Sequence, residues 1–226
     1  MASDGGPVAD GRWSAAALLA DPLRRRVYAA VVEHGEGVTR EQVAHELELP
    51  RSTAAFHLER LAAGGLLAVE FRRLNGRSGP GAGRPAKLYR RGDSEFALSV
   101  PRRLYGVAGS VMAEAIDQAQ SGASPKAALH EAATRAGHRL AAGATDLEAA
   151  LVREGFEPRV DGGDTVLGTC PFHTLAQQHP GVVCDLNHAL VCAMADEVGE
   201  ASDRVQLDPG AGGCCLRIAG TSGTSN

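Results

Sequence analysis

The sequence predicts an α+β fold built in two differently charged parts, and three observations support this prediction. Apolar residues recur at helical spacing through residues 21–63 and again from 101 to 142, and short β-rich runs follow both stretches. All five cysteines lie between residues 170 and 215. Residues 51–91 hold nine Arg or Lys and two Glu, a net charge of +7, whereas residues 92–226 carry a net charge of −8. We therefore expect a basic part without cysteine, followed by an acidic part that contains all of them.

Composition and short motifs argue against several classes of protein. No run of 18 apolar residues is present, so no membrane span is expected. The first 11 residues lack the basic start and apolar core of a secretory signal, so we expect a cytoplasmic protein, in which cysteines stay reduced. The sequence has no Walker loop, no G-x-S-x-G and no H-E-x-x-H, so no enzymatic activity is expected.

Three short helices are predicted at the start of the chain. Asp21-Pro22 has the pattern of an N-cap followed by proline in the first helical position. Thr39–Gln42 has the spacing of a capping box at the start of a second helix. A third helix begins at Arg51 and stops at Gly64-Gly65. Two short helices joined by a turn form a helix-turn-helix, in which the second helix enters the major groove of DNA.

A β-hairpin is predicted directly after the third helix. Residues 66–71 and 86–90 have the pattern of strands, and the loop between them is rich in Gly, Pro and Arg. Such a basic hairpin is a wing, whose arginines contact phosphates or the minor groove. The candidate DNA-binding residues are Arg51, Ser52, Thr53, Ala55, Phe56 and Arg60 on the third helix, with Arg77, Arg84 and Lys87 on the wing. For His57, a DNA contact and packing against the wing both stay open.

Residues 52–61, the following Gly65-Leu66-Leu67 and residues 83–89 resemble the winged helix-turn-helix of the ArsR/DeoR-like superfamily. The resemblance implies a transcriptional regulator that binds a double-stranded DNA operator. Because winged-helix repressors usually bind two-fold operators as dimers, a homodimer is expected.

The predicted organisation follows from these patterns. We expect a flexible tail at 1–20, the winged helix-turn-helix at 21–91, a helical linker or dimerisation region at 92–143, a cysteine-containing α/β sensor domain at 144–219 and a disordered tail at 220–226.

The cysteines indicate chemistry in the second part. Buried unpaired thiolates are costly, so several in one small domain suggest a metal, a cluster or a disulfide. Cys184 and Cys192 fall on one predicted helix, roughly 12 Å apart along its axis, which makes a shared single ion difficult. Cys214 and Cys215 are predicted to open a last strand, where neighbours face opposite ways, so one of them is expected to point into a site with Cys170 and Cys184.

The runs Leu167–His173 and His179–Cys184, with the C-terminal cysteine pair, resemble the sensor domain of the SufR-like regulators. The resemblance implies an iron–sulfur cluster, often with four irons (4Fe-4S), held by Cys170, Cys184 and Cys214 or Cys215. In that family the state of the cluster sets affinity for promoters of cluster-assembly genes. The fourth ligand stays open among Cys192, His173, His188 and an exogenous group.

Other interpretations of the second part remain open. In one interpretation the second part senses zinc, with His173 or His188 among the ligands, or senses a small molecule. Alternatively, it is a metal-free thiol switch, or its cysteines are structural and buried.

Overall fold

The chain divides into two units, Met1–Leu98 and Ser99–Asn226. The computed structural model describes residues 7–73, 85–208 and 213–220, and within residues 7–12 only the backbone is described. The region predicted as a linker, 92–143, therefore falls largely in the same unit as the region predicted as a sensor.

The described part of the first unit contains four helices and a two-stranded antiparallel sheet. These elements are α1 (Pro7–Ala20), α2 (Pro22–His34), α3 (Arg40–Glu46), α4 (Arg51–Ala63), β1 (Leu67–Arg72) and β2 (Ala86–Arg91). The side chain of Asp21 accepts from the first backbone N–H groups of α2, and Thr39 and Gln42 form the capping box of α3. Caps of this kind satisfy donors that a helix start leaves unpaired. The predicted starts of both helices are confirmed.

The three predicted helices pack around one apolar core. Val27 of α2, Val43 of α3, and Leu58 and Leu61 of α4 are all fully buried. Burial of such side chains stabilises the unit by about 1.5–3 kcal/mol each. Because the inner face of α4 is used for packing, its charged residues remain on the outer face.

The first 20 residues differ from the predicted flexible tail, because most of them form the helix α1. Its Ala15 is 2% exposed, and Leu18 and Leu19 pack against the core of the unit. Leu18 lies over Gly64: a Cβ at that glycine would come within 2.1 Å of the Leu18 Cδ1 atom. The apolar run at the end of α1 therefore finds a binding surface on the folded unit, which composition alone did not indicate.

The hairpin predicted as a wing is present as β1 and β2, which pair from Leu67 with Arg91 to Arg72 with Ala86. Val38, in the loop before α3, forms two backbone hydrogen bonds with Tyr89 of β2, at 2.9 and 2.8 Å. The predicted wing tip, including Arg77 and Arg84, lies outside the described residues.

The second unit combines helices with a four-stranded antiparallel sheet of order β3-β4-β6-β5. Its elements are α5 (Tyr105–Gln120), α6 (Pro125–Ala141), α7 (Leu147–Arg153), β3 (Pro158–Asp161), β4 (Asp164–Leu167), α8 (His173–Gln178), α9 (Pro180–Glu197), β5 (Val205–Leu207) and β6 (Leu216–Ile218). Helix α9 is largely buried, and α6 packs against it and against α5.

A glycine brings α6 and α9 into close contact. A Cβ atom at Gly137 would lie 2.2 Å from the carbonyl oxygen of Leu190 and 2.8 Å from the Cβ of Ala193. Both distances are far below van der Waals contact, so only a glycine permits this helix separation. The position of α9 therefore depends on Gly137.

Among the described residues, no helix has the length and apolar character needed to cross a bilayer.

Candidate functional sites

The outer face of α4 carries the residues predicted to bind DNA. Arg51, Ser52, Phe56 and Arg60 are exposed, and Thr53 and Ala55 are half-buried. The guanidinium of Arg60 lies 5.7 Å from the centroid of the Phe56 ring, close enough for a cation–π contact. A large aromatic side chain that is 54% exposed beside basic residues is suited to apolar contact with a base or sugar. This face offers both charge and an apolar contact.

His57 belongs to the core rather than to this face. The residue is 6% exposed, and its ring packs edge-on against Phe56 at a centroid distance of 5.3 Å. Its burial favours packing over a DNA contact, and the ring contact described is with Phe56 of the same helix rather than with the hairpin.

Lys87 of β2 is held by a partner within the chain. Its ammonium group pairs with the carboxylate of Glu59 on α4, and the Tyr89 hydroxyl donates to the same Glu59 oxygen at 2.7 Å. The hydrogen bonds from Lys87 and Tyr89 hold the pKa of Glu59 below its usual value. Lys87 thus joins the hairpin to α4, which differs from the free phosphate-binding role that the sequence suggested.

Glu59→Gln is expected to destabilise the first unit by about 1 kcal/mol at neutral pH, because the ionic partner of Lys87 is lost from a largely exposed site. The folded-state pKa of Glu59 is depressed, so its contribution is present above the unfolded pKa of about 4.3 and is lost as pH falls through the folded value. Urea denaturation monitored by Trp13 fluorescence reports on this unit, since the chain has one tryptophan. Glu33→Gln on α2 removes the same charge at an exposed position and should leave stability unchanged.

Four cysteines come together in the second unit from three separate segments. Cys170 follows β4, Cys184 lies in the first half of α9, and Cys214 and Cys215 immediately precede β6. Strands β4 and β6 are antiparallel, so the end of one lies beside the start of the other. A backbone hydrogen bond from Cys214 N to Leu167 O, at 3.0 Å, fixes this junction.

The four thiols interact in a chain of pairs. Cys214 lies close enough to Cys170 and to Cys215, and Cys215 to Cys184, for the members of each pair to shift each other's pKa. Cys170 and Cys214 are each 4% exposed, while Cys184 and Cys215 are half-buried. We refer to these four residues as the cysteine centre.

The premise behind the expectation that only one of Cys214 and Cys215 faces the site does not hold. It assumed strand alternation, but β6 begins at Leu216, and both cysteines lie in the bend before it. In a bend successive side chains are free of the two-residue alternation of a strand, and here both thiols join the centre.

Contact between the thiols shifts their pKa values in opposite directions. Hydrogen bonding from Cys214 lowers the pKa of Cys215 to about 6, and burial together with Cys215 raises the pKa of Cys184 to about 12. Contact with Cys170 and Cys215 raises the pKa of Cys214, and its hydrogen bond lowers that of Cys170. At neutral pH the centre therefore holds thiolate beside thiol.

Two residues that sequence reasoning missed support the cysteine centre. Asn187 of α9 is 1% exposed, and its Nδ2 donates to the Cys214 sulfur at 3.2 Å. The guanidinium of Arg103 donates to the Cys170 carbonyl oxygen at 2.7 Å. An asparagine three residues after a cysteine, in a helix rich in apolar residues, was the available signal for Asn187.

The other proposed fourth ligands lie apart from the thiol chain. Cys192 contacts the ring of His188, at 3.6 Å from Nε2, and the carbonyl oxygen of Ser202. The ring of His188 also bonds to the Val205 carbonyl oxygen, and His173 is exposed at the start of α8. No group of three or more His, Cys, Asp or Glu side chains in residues 7–73, 85–208 and 213–220 is arranged to hold a metal ion.

An apolar groove of about 760 Å³ lies between α5, α6 and the start of α9. Met112, Ile116, Leu129 and Val182 line it, and Lys126 and Asp185 pair with each other at its rim, 3.4 Å apart. Its volume is typical of small-molecule sites. If the second unit senses a small molecule, which is one interpretation of the sequence, this groove is where the molecule would bind.

Comparison with known proteins identifies one region of the chain. A family model described as a helix-turn-helix domain matches residues 19–70, which include α2, α3, α4 and the start of the hairpin. No curated protein and no solved structure matches the chain. The match suggests a DNA-binding regulator, a class that is typically non-enzymatic.

Proposed function

We propose that the protein is a transcriptional regulator whose affinity for a DNA operator is controlled by an iron–sulfur cluster bound at the cysteine centre. It acts as a homodimer on a double-stranded operator, and iron–sulfur assembly or redox genes are the proposed targets. The observation that carries the proposal is the convergence of four thiols from three segments in a unit separate from the helix-turn-helix.

The DNA-binding part of the proposal is supported by the outer face of α4. The helix lies within the matched helix-turn-helix region, and it is the second helix of that motif. Arg51 and Arg60 are exposed there, and neither forms an ion pair in the described residues. Free arginines on a recognition helix are suited to guanine edges or phosphates.

Arg51→Ala and Arg60→Ala are each expected to weaken operator binding by about 10- to 100-fold, as for the loss of one base or charged phosphate contact. Fluorescence anisotropy at one fixed salt concentration, on DNA selected by the protein from genomic fragments, measures the effect. Arg139→Ala removes the same charge from an exposed site on α6 and should leave affinity intact. Wild-type affinity in both α4 variants would show that this helix is not part of the DNA interface.

The chemistry of the donor set supports a cluster. Iron–sulfur clusters are held by cysteine thiolates, most often four of them, which is the number of thiols at this centre. The residues proposed to hold it are Cys170, Cys184, Cys214 and Cys215. When bound, the group would supply reversible electron transfer and sensitivity to oxygen.

A buried amide also fits a sulfur-rich anionic group. Asn187 aims an N–H at Cys214, and its Oδ1 atom has no hydrogen-bond partner in the described residues. Burying an amide donor without a partner costs about 1–3 kcal/mol, and the Cys214 sulfur is the acceptor that the Nδ2 group finds. The site is thus built to place a donor against sulfur.

The residues around the cysteine centre differ in what they contact. Arg103 and the backbone N–H of His173 both donate to the Cys170 carbonyl oxygen, which holds the turn that carries this cysteine. Phe172 and Leu216 are fully buried and belong to the same apolar cluster as Cys170 and Cys214.

Purification of the full chain without oxygen tests the proposal. We expect a coloured protein that contains iron and acid-labile sulfide, and whose operator affinity changes on exposure to air. Zinc at one equivalent, or no metal, in strictly anaerobic protein would overturn the cluster proposal.

A thiol switch is a second candidate function, because Cys215 lies in contact with both Cys184 and Cys214. Its lowered pKa makes a thiolate at neutral pH, which is the reactive form. Hydrogen peroxide would take two electrons and two protons from a pair of thiols, which forms one S–S bond and two water molecules. Mass spectrometry of metal-free protein after peroxide treatment distinguishes this case by the loss of two hydrogens and by a mapped Cys184–Cys215 or Cys214–Cys215 bond.

A further inference from the structure

Asn187 occupies a position where a polar side chain requires an explanation. Its neighbours Leu186, Ala189, Leu190 and Val191 on α9 are buried and apolar. Desolvation of an amide costs a few kcal/mol unless hydrogen bonds replace water. Among the described residues of the second unit, Asn187 and Glu154 are the buried polar or charged residues, and Glu154 is paired with Arg102.

The amide of Asn187 is directed at the cysteine centre. Its Nδ2 is 3.2 Å from the Cys214 sulfur, and the side chain is also in hydrogen-bonding contact with Cys215. Asn187 lies three residues after Cys184, so both occupy the same face of α9. One helix therefore presents a thiol and an amide donor to the same group of sulfurs.

We infer that Asn187 is a positioning residue that donates an N–H···S hydrogen bond to the sulfur ligands and raises the reduction potential of the cluster. This inference rests on the proposed function. The sulfur of a bound thiolate carries no proton, so in the contact between Asn187 and Cys214 the amide N–H is the donor and the sulfur the acceptor.

The direction of the effect follows from electrostatics. Reduction adds negative charge, which spreads onto the ligand sulfurs, and a fixed N–H dipole in a site of low dielectric stabilises the added charge. Hydrogen bonds to the sulfurs are among the factors that set cluster potentials. Without the donor the reduced state is less stable, so the midpoint potential becomes more negative.

Two variants remove the donor with opposite changes in volume. Asn187→Leu keeps the approximate size of the side chain, whereas Asn187→Ala shortens it. We expect both full-length proteins, purified without oxygen, to retain iron and sulfide and to show a midpoint potential shifted in the negative direction. Met194→Leu, two turns further along the buried face of α9, is the packing control and should leave the potential unchanged.

A spectroscopic readout separates hydrogen bonding from packing. The iron–thiolate bands in the resonance Raman spectrum of the wild type should shift after transfer to D₂O, and the component due to Asn187 should be absent from both variants. If one variant does not fold, the other is compared with the wild type.

The outcomes distinguish the inference from the function on which it rests. A wild type with bound cluster, together with variants of unchanged potential and unchanged D₂O shift, overturns the role of Asn187 alone. A wild type without iron and sulfide overturns the proposed function itself. Opposite shifts in the Leu and Ala variants would mean that volume, not the donor, sets the potential, and would also overturn the inference.

Discussion

Cys170→Ser protein purified without oxygen is expected to contain neither iron nor sulfide and to lack visible absorbance. A serine hydroxyl is a poor ligand for a cluster, and the chain of thiols that begins at Cys170 loses its most buried end. Cys184→Ser should have the same result, since its thiol closes the other end of the chain. Iron and sulfide analysis with absorbance spectra measures the loss.

Cys192→Ser is the matched control for this experiment. Cys192 lies on the same helix as Cys184, but its sulfur faces His188 and the Ser202 carbonyl oxygen. The Cys192→Ser protein should therefore retain iron and sulfide. Because Cys214 and Cys215 both belong to the centre, serine at either position is expected to impair loading. Full iron and sulfide content in Cys170→Ser protein would show that the ligand assignment is wrong.

Gly137→Ala is expected to destabilise the second unit by about 3 kcal/mol, at the upper end of the usual cost of overpacking. The added Cβ would meet the carbonyl oxygen of Leu190 and the Cβ of Ala193, and neither atom belongs to a flexible side-chain end. Helices α6 and α9 must separate to make room. Urea denaturation followed by far-UV circular dichroism measures the loss, while Trp13 fluorescence follows the first unit separately.

Gly106→Ala provides the same substitution in a helix of the same unit. A Cβ at Gly106 would have nothing within 4 Å, so alanine there should be neutral or should stabilise α5 by up to about 1 kcal/mol. Equal stability of the Gly137 and Gly106 variants would show that the contact between α6 and α9 is looser than the structure indicates. Because α9 carries Cys184 and Asn187, Gly137→Ala should also reduce cluster loading.

Local signals in the sequence were sufficient for much of the first unit. Asp21 and Thr39 mark helix starts through side-chain hydrogen bonds to residues within three positions, so the adjacent sequence is sufficient to predict these starts. Helix α1 was not predicted, because its stability depends on Leu18 packing against Gly64, a contact between residues distant in sequence.

The cysteine centre shows a similar limit. The sequence indicated which cysteines converge, but it extended β6 back to Cys214 and so assigned opposite directions to Cys214 and Cys215. The strand in fact begins at Leu216, where pairing with β5 begins, and pairing with β4 follows from Arg217. The role of Asn187 depends on which face of α9 is buried, and a helix that is apolar on most sides gives little indication of that face.

The shared carboxylate of Glu59 has a consequence for exchanging residues on α4. Glu59 belongs to α4 but accepts from Lys87 and Tyr89 of β2, so the helix and the hairpin are held to each other through this side chain. Exchanging the exposed positions 51, 52 and 56 leaves this connection intact. Replacing the whole helix with one that lacks an acceptor at position 59 would remove this connection and leave the hairpin free to shift relative to α4.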